Sequence, residues 1–165
     1  MDRYSHYDSP LGGITLASDG AALTGLWFDG ASPFISDSSV GAGDSHPVFD
    51  TVRRWLDIYF RGAEPGFTPP LLLKGSAFRM EVWKILQTIP FGKTMTYGEI
   101  AGILGARRGT GHMSAQAVGG AVGHNPIALI VPCHRVVGAG GALTGYAYGL
   151  ERKSRLLGLE RGVLH

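Results

Sequence analysis

The chain contains a single cysteine, Cys133, and a histidine follows it directly at position 134. A thiol acts as a nucleophile only as the thiolate, so a free cysteine, with a pKa of about 8.5, needs a nearby base or positive charge at neutral pH. His134 could be that base, through a bridging water molecule if the two side chains diverge. A histidine base needs an acceptor for its other ring nitrogen, and Glu160 is the carboxylate that we select. Cys133, His134 and Glu160 are therefore a candidate nucleophilic triad.

Cys133 also has a purely structural interpretation, because unpaired cysteine is among the most buried residue types. The apolar run at residues 127–131 predicts a buried strand that ends at Pro132 and leaves the thiol at the rim of the core. The residues alone leave three possibilities open: a structural thiol, a cysteine hydrolase and a transferase.

The overall composition limits the class of protein. A chain of 165 residues forms one domain or two small ones. One thiol excludes an intrachain disulfide, and we expect no metal and no cofactor. The first residues lack the apolar segment of a signal peptide, and no stretch approaches the roughly 18 apolar residues of a membrane span. We expect a soluble, cytoplasmic protein.

The charge is unevenly distributed along the chain. The net charge is only +2, yet from Lys74 onwards eleven basic residues stand against four acidic ones. A basic half of this kind is typical of a phosphate-binding surface, although an ordinary solvated surface is the alternative.

Residues 1–70 predict a small N-terminal domain made of a sheet and one helix. Short alternating segments separated by Gly, Asp and Pro favour an antiparallel meander. Residues 29–46 predict an irregular connection, and the apolar spacing from Pro47 to Phe60 predicts a helix. The linker is predicted at residues 64–70, and residues 71–73 either add a strand or cross between the domains.

Residues 75–165 predict a second, mostly helical domain, which makes the fold class α/β in the broad sense (α+β). Ser76 predicts the N-cap of one helix, and Thr96 with Glu99 has the spacing of a capping box for the next. A basic loop at residues 105–111 and a short helix at 114–123 complete a pattern that resembles a helix-turn-helix. A last helix is predicted from Leu150 to Leu159.

The helix predicted at residues 114–123 carries almost no side chains, although each Gly costs about 1 kcal/mol relative to Ala in a helix. Either it packs closely against a neighbour, or its backbone must approach a groove. If this helix binds DNA, Ser114 and Gln116 alone can offer hydrogen bonds to base edges. It would then recognise shape and phosphate rather than sequence.

The motif Pro132-Cys133-His134-Arg135-Val136 has further matching segments on both sides. It is preceded by Gly123-His124-Asn125-Pro126 and followed by Gly145-Tyr146-Ala147-Tyr148-Gly149-Leu150. Together they resemble the signature of the O6-alkylguanine-DNA alkyltransferases (methylated-DNA–protein-cysteine methyltransferases), and the similarity covers residues 75–160.

The resemblance implies direct repair of DNA. A helix-turn-helix would enter the minor groove, the damaged nucleotide would be flipped into the protein, and an alkyl group would pass irreversibly and once from O6-alkylguanine to Cys133. O4-alkylthymine is a further candidate substrate. The implied partner is double-stranded DNA with alkylated bases, bound without sequence preference by a monomer that needs no other protein and no membrane.

The resemblance also implies roles for individual residues. The implied catalytic residues are Cys133, His134, Glu160, Asn125 and Tyr97. The implied guanine pocket consists of Val136, Tyr146, Ala147, Tyr148 and Lys153. The implied DNA contacts are Ser114, Ala115, Gln116, Ala117, Gly119 and Arg135.

Two positions depart from the family pattern. Gln116 stands where better-known members place an arginine that fills the gap left by the flipped base, so we expect flipping with weaker affinity. Tyr148 stands where glycine is frequent, and its ring would either narrow the pocket or stack on the base. Two other functions stay open: a lesion-binding module that does not repair, which would be expected to lack the cysteine, and a small-molecule cysteine hydrolase.

Overall fold

The computed structural model describes residues 3–30, 46–109 and 113–162. The chain forms two compact units: Met1–Leu73 with Pro126–Ala128, and Lys74–Asn125 with Leu129–His165. Nothing in the sequence pattern indicated that residues 126–128 belong to the first unit. Its sheet holds them through backbone hydrogen bonds from the Leu26 amide to Pro126 and from the Ala128 amide to Leu26, at 2.9 and 3.0 Å.

The first unit contains the predicted antiparallel meander and helix. Strands β1 (Arg3–Ser9), β2 (Gly12–Ser18) and β3 (Leu23–Phe28) lie in the order β1-β2-β3. Helix α1 (Pro47–Phe60) lies against all three strands and buries its apolar face, while Pro47 stands in the first turn, where it removes no helical hydrogen bond. Most of the connection predicted at residues 29–46 lies outside the described residues.

Residues 71–73 do not form a full strand. Leu71 makes one parallel bridge with Leu23, and Ile127 makes another with Leu26.

The second unit is mostly helical, as predicted. It contains α2 (Ala77–Leu86), α3 (Tyr97–Arg108), α4 (Ala115–Gly123) and α5 (Leu150–Glu160), with the short parallel pair β4 (Met95–Thr96) and β5 (Val136–Val137).

Side-chain caps begin three helices of this unit; Ser76 and Thr96 were predicted as caps, whereas Ser114 was predicted only as the first residue of a helix. Ser76 caps α2 and Ser114 caps α4, while Thr96 and Glu99 form the full capping box of α3. Because each cap accepts from backbone amides that have no partner within the helix, it fixes where the helix starts. α2, α3 and α4 contact one another.

One predicted boundary was wrong: the basic loop expected from Gly105 is helical as far as Arg108. α3 ends at Gly109, whose φ of 72° is the left-handed conformation that commonly terminates a helix. The charges of Arg107 and Arg108 favour this longer helix because they lie at its negative C-terminal end. Residues 110–112, the rest of the predicted loop, lie outside the described residues.

The buried strand predicted at residues 127–131 was also wrong. All five residues are buried, but after the bridge at Ile127 the chain turns, and Leu129 has a φ of 69°. Pro126 and Pro132 lack the amide donors that a strand ladder needs at both ends of this segment. The apolar run therefore correctly indicated that these residues are buried, but it did not indicate their backbone conformation.

None of the helices in the described ranges is both long and apolar enough to cross a lipid bilayer.

Candidate active site

Cys133 begins a single 3-10 turn, Cys133–Arg135, that leads directly into β5. The residue is only 6% exposed. Burial raises the pKa of its thiol, whereas a hydrogen bond from Asn125, the charge of Lys153 and the backbone amides of Cys133 and His134 act to lower it. The thiol is thus recessed but surrounded by groups that stabilise a thiolate.

Asn125 ties the end of α4 to the segment before the cysteine. Its side chain is buried, and Nδ2 donates to the carbonyl oxygen of Val131 at 2.8 Å. The same side chain hydrogen-bonds the thiol. Asn125 therefore holds the turn on which Cys133 lies.

His134 and Glu160 form a fully buried pair. The distance from Nε2 of His134 to Oε2 of Glu160 is 2.5 Å, and neither side chain is exposed. Burial alone raises the pKa of Glu160, but the hydrogen bonds from His134 and Arg135, the charge of Arg135, and the charge of the His134 ring whenever that ring is protonated, lower it to about 2. Because an ionised carboxylate only accepts hydrogen bonds, Nε2 carries the proton and Nδ1 the lone pair.

The imidazole of His134 is neutral in this setting. Burial lowers its pKa, contact with Glu160 opposes that shift, and the charges of Arg135 and Lys153 add to the lowering. A neutral imidazole with its lone pair on Nδ1 can accept a proton.

The prediction that Arg135 contacts DNA does not fit its position. Arg135 is 8% exposed, and its guanidinium donates to Glu160 and, at 2.7 Å, to the carbonyl oxygen of Ile89. A guanidinium with its hydrogen bonds made inside the unit belongs to the site around His134 rather than to a DNA surface.

Lys153 is buried and holds the loop after β5. Its Nζ donates to the carbonyl oxygens of Thr144 and Gly145, both at 3.0 Å, and lies 6.0 Å from the ring centre of Tyr97. Burial lowers the pKa of Lys153, and the charge of Cys133 opposes this shift. The lysine is therefore close to the thiol and anchors the segment that follows it.

The Tyr97 hydroxyl donates to Thr144 at 3.3 Å. Burial and the charge of Cys133 both raise its pKa, which keeps the phenol protonated at neutral pH. Tyr97 begins α3 directly after the capping residue Thr96, so the capping box fixes the position from which this phenol extends.

Around these residues lie the other members of the predicted pocket. Val136 is fully buried in β5, and Ala147 is exposed. The rings of Tyr146 and Tyr148 meet edge to face with centroids 5.3 Å apart. Burial, and then the charge of Cys133, raise the pKa of Tyr148, so its hydroxyl is also neutral and near the thiol.

The predicted DNA contacts on α4 differ in exposure. Ser114, Ala115, Gln116 and Ala117 are exposed in the first turn. Gly119 is only half-buried, and a Cβ added there would lie 3.9 Å from the Tyr97 ring. An added Cβ at Gly119 would therefore meet Tyr97 only at ordinary van der Waals distance, and close packing at this position does not require a glycine.

Two backbone groups of this site were missed by the reasoning from sequence. The amide of Gly92 donates to Oε1 of Glu160 at 3.0 Å, and the Ile89 carbonyl accepts from Arg135. The Pro90-Phe91-Gly92 segment was recognised only as the end of a helix. Among the described residues, no group of three or more His, Cys, Asp or Glu side chains is arranged to hold a metal ion.

Comparison with known proteins agrees with this geometry. Residues 77–162 match the DNA binding domain of 6-O-methylguanine DNA methyltransferase, and residues 3–73 match the ribonuclease-like domain of the same family. The methylated-DNA–protein-cysteine methyltransferase of Mycolicibacterium paratuberculosis is 46% identical over 161 residues, which are 98% of this chain and 93% of that one. The relative of the same name from Methanosarcina acetivorans is 43% identical, with 95% and 97% covered.

Solved structures show the same similarity. The Mycobacterium tuberculosis O6-methylguanine methyltransferase has a TM-score of 0.82 and 43% identity, covering 100% of this chain and 96% of that one. The M. tuberculosis OGT solved in complex with DNA has a TM-score of 0.82 and 42% identity, covering 98% and 94%. The chain therefore belongs to the 6-O-methylguanine DNA methyltransferase family.

Proposed function

We propose that this protein repairs alkylated DNA by moving the alkyl group of O6-alkylguanine onto the sulfur of Cys133. The observation that carries the proposal is the recessed Cys133 thiol, followed directly by a buried His134–Glu160 pair, in a chain of this family. The solved complex of a relative with DNA supports DNA as the partner, and we propose that this DNA is double-stranded.

The chemistry follows from the protonation states of the site. The thiol proton passes to Nδ1 of His134, directly or through water, while Glu160 stabilises the imidazolium that forms. The thiolate attacks the alkyl carbon in line, so the S–C bond forms as the C–O6 bond breaks. The electron pair stays with the guanine, and a proton from the Tyr97 hydroxyl neutralises it. The proton held by the His134 imidazolium then replaces the one that Tyr97 has given, through water, so that both side chains end neutral and the thiol proton ends on the guanine.

The product is a thioether, which offers water no leaving group. Cys133 is consumed, and each protein molecule acts once.

The exposed face of α4 is the proposed contact with DNA. The minor groove is about 6 Å wide, so a helix enters it only by being slender and by widening it. Ala115, Ala117 and Gly120 are exposed and add little width. Extruding the damaged nucleotide costs a few kcal/mol, and less for a poorly paired lesion base, which favours damaged sites.

The loop held by Lys153 is the proposed wall of the guanine pocket. Val136, Tyr146, Ala147 and Tyr148 would surround the flipped base, with backbone carbonyls accepting from its exocyclic amine. Because the Tyr148 ring lies against Tyr146 near the thiol, we propose that it narrows the pocket against bulky alkyl groups.

Intact-mass measurement tests the proposal. Incubation with duplex DNA that contains O6-methylguanine should add one methyl group to the Cys133 peptide and stop at one equivalent. Cys133→Ser should abolish transfer and leave duplex binding largely unchanged. Multiple turnovers would indicate a hydrolase, and binding to the lesion with an unmodified cysteine would indicate a module that does not repair.

Three further expectations remain part of the proposal. The protein would act as a monomer, without an obligate protein partner, in the cytoplasm. Sedimentation of the protein alone and on duplex DNA measures the first two, and localisation of a tagged chain measures the third.

A further inference from the structure

The Glu160 carboxylate is shared between two side chains and one backbone amide. It lies 2.5 Å from Nε2 of His134, and it accepts from Arg135 through Nε at 2.8 Å and through Nη2 at 3.3 Å. The amide of Gly92 adds a fourth contact at 3.0 Å. Both carboxylate oxygens are therefore occupied by donors, and the plane of the carboxylate is fixed.

The guanidinium of Arg135 is itself fixed from three sides. Besides Glu160, it binds the carbonyl oxygen of Ile89 through Nη1 at 2.7 Å and lies 5.8 Å from the ring centre of Phe91. A planar fork that meets both oxygens of a carboxylate orients that carboxylate in a way that a single ammonium does not.

We propose that Arg135 is a positioning residue for alkyl transfer: by sharing Glu160 with His134, it fixes the ring tautomer and keeps the imidazole neutral until the thiol delivers its proton. This inference rests on the proposed function, in which His134 is the base.

The charges around the ring explain why a second cation is needed there. Glu160 alone, buried against His134, would favour the imidazolium form, and a base that is already protonated cannot accept another proton. The positive charge of Arg135 compensates the negative charge of Glu160, so these two side chains together exert little net electrostatic effect on the His134 ring. Among the described residues, the other charged group that acts on the ring is Lys153 on α5, whose charge adds to the lowering of the His134 pKa.

The pH dependence of single-turnover transfer tests the proposal, with rates measured by mass spectrometry on O6-methylguanine duplex. In Arg135→Gln, the pKa of His134 rises and the neutral fraction of the ring falls at acidic pH. The rate at about pH 6 relative to that at about pH 8 should therefore drop by about threefold or more compared with the unchanged protein. Arg135→Lys keeps the charge but not the planar fork, so it should restore most of this ratio while its rate at about pH 8 stays below that of the unchanged protein.

The matched control is Arg53→Gln in the first unit, where the arginine contacts Ser5 and the His6 carbonyl oxygen and not the site. Its pH profile should be unchanged. If Arg135→Gln instead lowers the rate by the same factor at every pH, the arginine has only a structural role and the proposal is overturned.

A measurement on the unchanged protein covers the case in which Arg135→Gln does not fold. Nitrogen NMR of the His134 ring, without DNA, should show a neutral imidazole at pH 7 with its proton on Nε2. An imidazolium, or a proton on Nδ1, would overturn the proposal. Because this measurement involves no alkyl transfer, its outcome is independent of whether the mass experiment supports the proposed function.

Discussion

Glu160 is a carboxylate that stays ionised although it is buried, because donors surround it. Its pKa falls from the ordinary value of 4.5 to about 2. A carboxylate with a lowered pKa in the folded protein contributes stability above its ordinary pKa, and the contribution is lost as the pH falls towards the folded value. The protein should therefore lose part of its stability between about pH 4.5 and about pH 2 through this residue.

Glu160→Gln tests that pH dependence. At neutral pH the variant should lose about 3 kcal/mol or more of unfolding free energy, because Arg135 stays buried without its anion. As the pH falls, the unchanged protein loses the same contribution, so the difference between the two should shrink. Urea unfolding at a series of pH values measures this difference in unfolding free energy.

The control for this prediction is Glu151→Gln, which changes an exposed glutamate on the same helix. Because Glu151 lies in the first turn of α5, its replacement should cost no more than about 1 kcal/mol of unfolding free energy at neutral pH, well below the loss expected for Glu160→Gln. A difference between Glu160→Gln and the unchanged protein that stays constant down to pH 2 would mean that Glu160 is not held ionised by its neighbours.

Gln116 is the residue at which a charge should strengthen DNA binding. It is exposed in the first turn of α4. Gln116→Arg adds one cation on the proposed DNA face, so affinity for duplex should rise and the slope of log K against log salt should steepen by about one. Gln87→Arg adds the same charge at the end of α2. If both variants raise the affinity for duplex DNA equally, α4 has no special contact with DNA.

At the scale of elements, the starts of α2, α3 and α4 depend on local signals, whereas α5 begins after Gly149 without a side-chain cap. Ser76, Thr96 and Ser114 each accept from a backbone amide three residues later, which depends only on sequence spacing. The segment at residues 127–131 was not predictable in this way. An apolar run records burial in any conformation, and the left-handed Leu129 depends on packing around it.

The candidate site likewise contains residues that the sequence predicts and contacts that it does not predict. A short motif and one carboxylate were sufficient to select Cys133, His134 and Glu160. Arg135 was predicted as a DNA contact, and no feature of the sequence indicated that its guanidinium hydrogen-bonds Glu160 and Ile89 inside the unit. The contacts of Gly92 and Ile89 with this site are made by backbone atoms, 68 residues from Glu160 and 46 from Arg135, and no residue type signals them in advance.

Helix α4 should still fold when side chains are added to it, but a large added side chain should weaken its binding to DNA. A Cβ at Gly120 meets nothing within 4 Å. Gly120→Ala should therefore raise the free energy of unfolding by about 0.5–1 kcal/mol, because the unfolded chain loses freedom. Gly120→Leu should also fold, yet weaken duplex binding by about tenfold, because it widens the helix face that carries Gln116.

Gly102→Leu is the matched control on α3, since this helical glycine is also exposed with nothing within 4 Å of an added Cβ. It should leave DNA affinity unchanged. Thermal unfolding and fluorescence anisotropy on a short duplex provide the two measurements. Unaltered binding by Gly120→Leu would place the DNA on another surface.

At the scale of the whole molecule, the charge that remains on the surface decides how the protein meets DNA. From Lys74 onwards there are eleven basic and four acidic residues. Arg135, Lys153 and Glu160 are buried in the site, which leaves nine basic residues against three acidic ones outside it. One of these three acids, Glu81, is paired with Arg108 at 3.2 Å. Outside the site, the basic residues of this unit therefore still clearly outnumber the acidic ones.

That excess predicts binding to duplex DNA that depends on salt and not on sequence. Lys and Arg contacts with phosphate release counterions, so affinity should fall by about tenfold or more between about 50 and 200 mM salt. Undamaged duplexes of unrelated sequence should bind alike within about threefold, because α4 offers almost no side chains to base edges. Anisotropy titrations at several salt concentrations measure both. Strong preference for one undamaged sequence, or affinity indifferent to salt, would show that base contacts and not phosphate contacts hold the complex together.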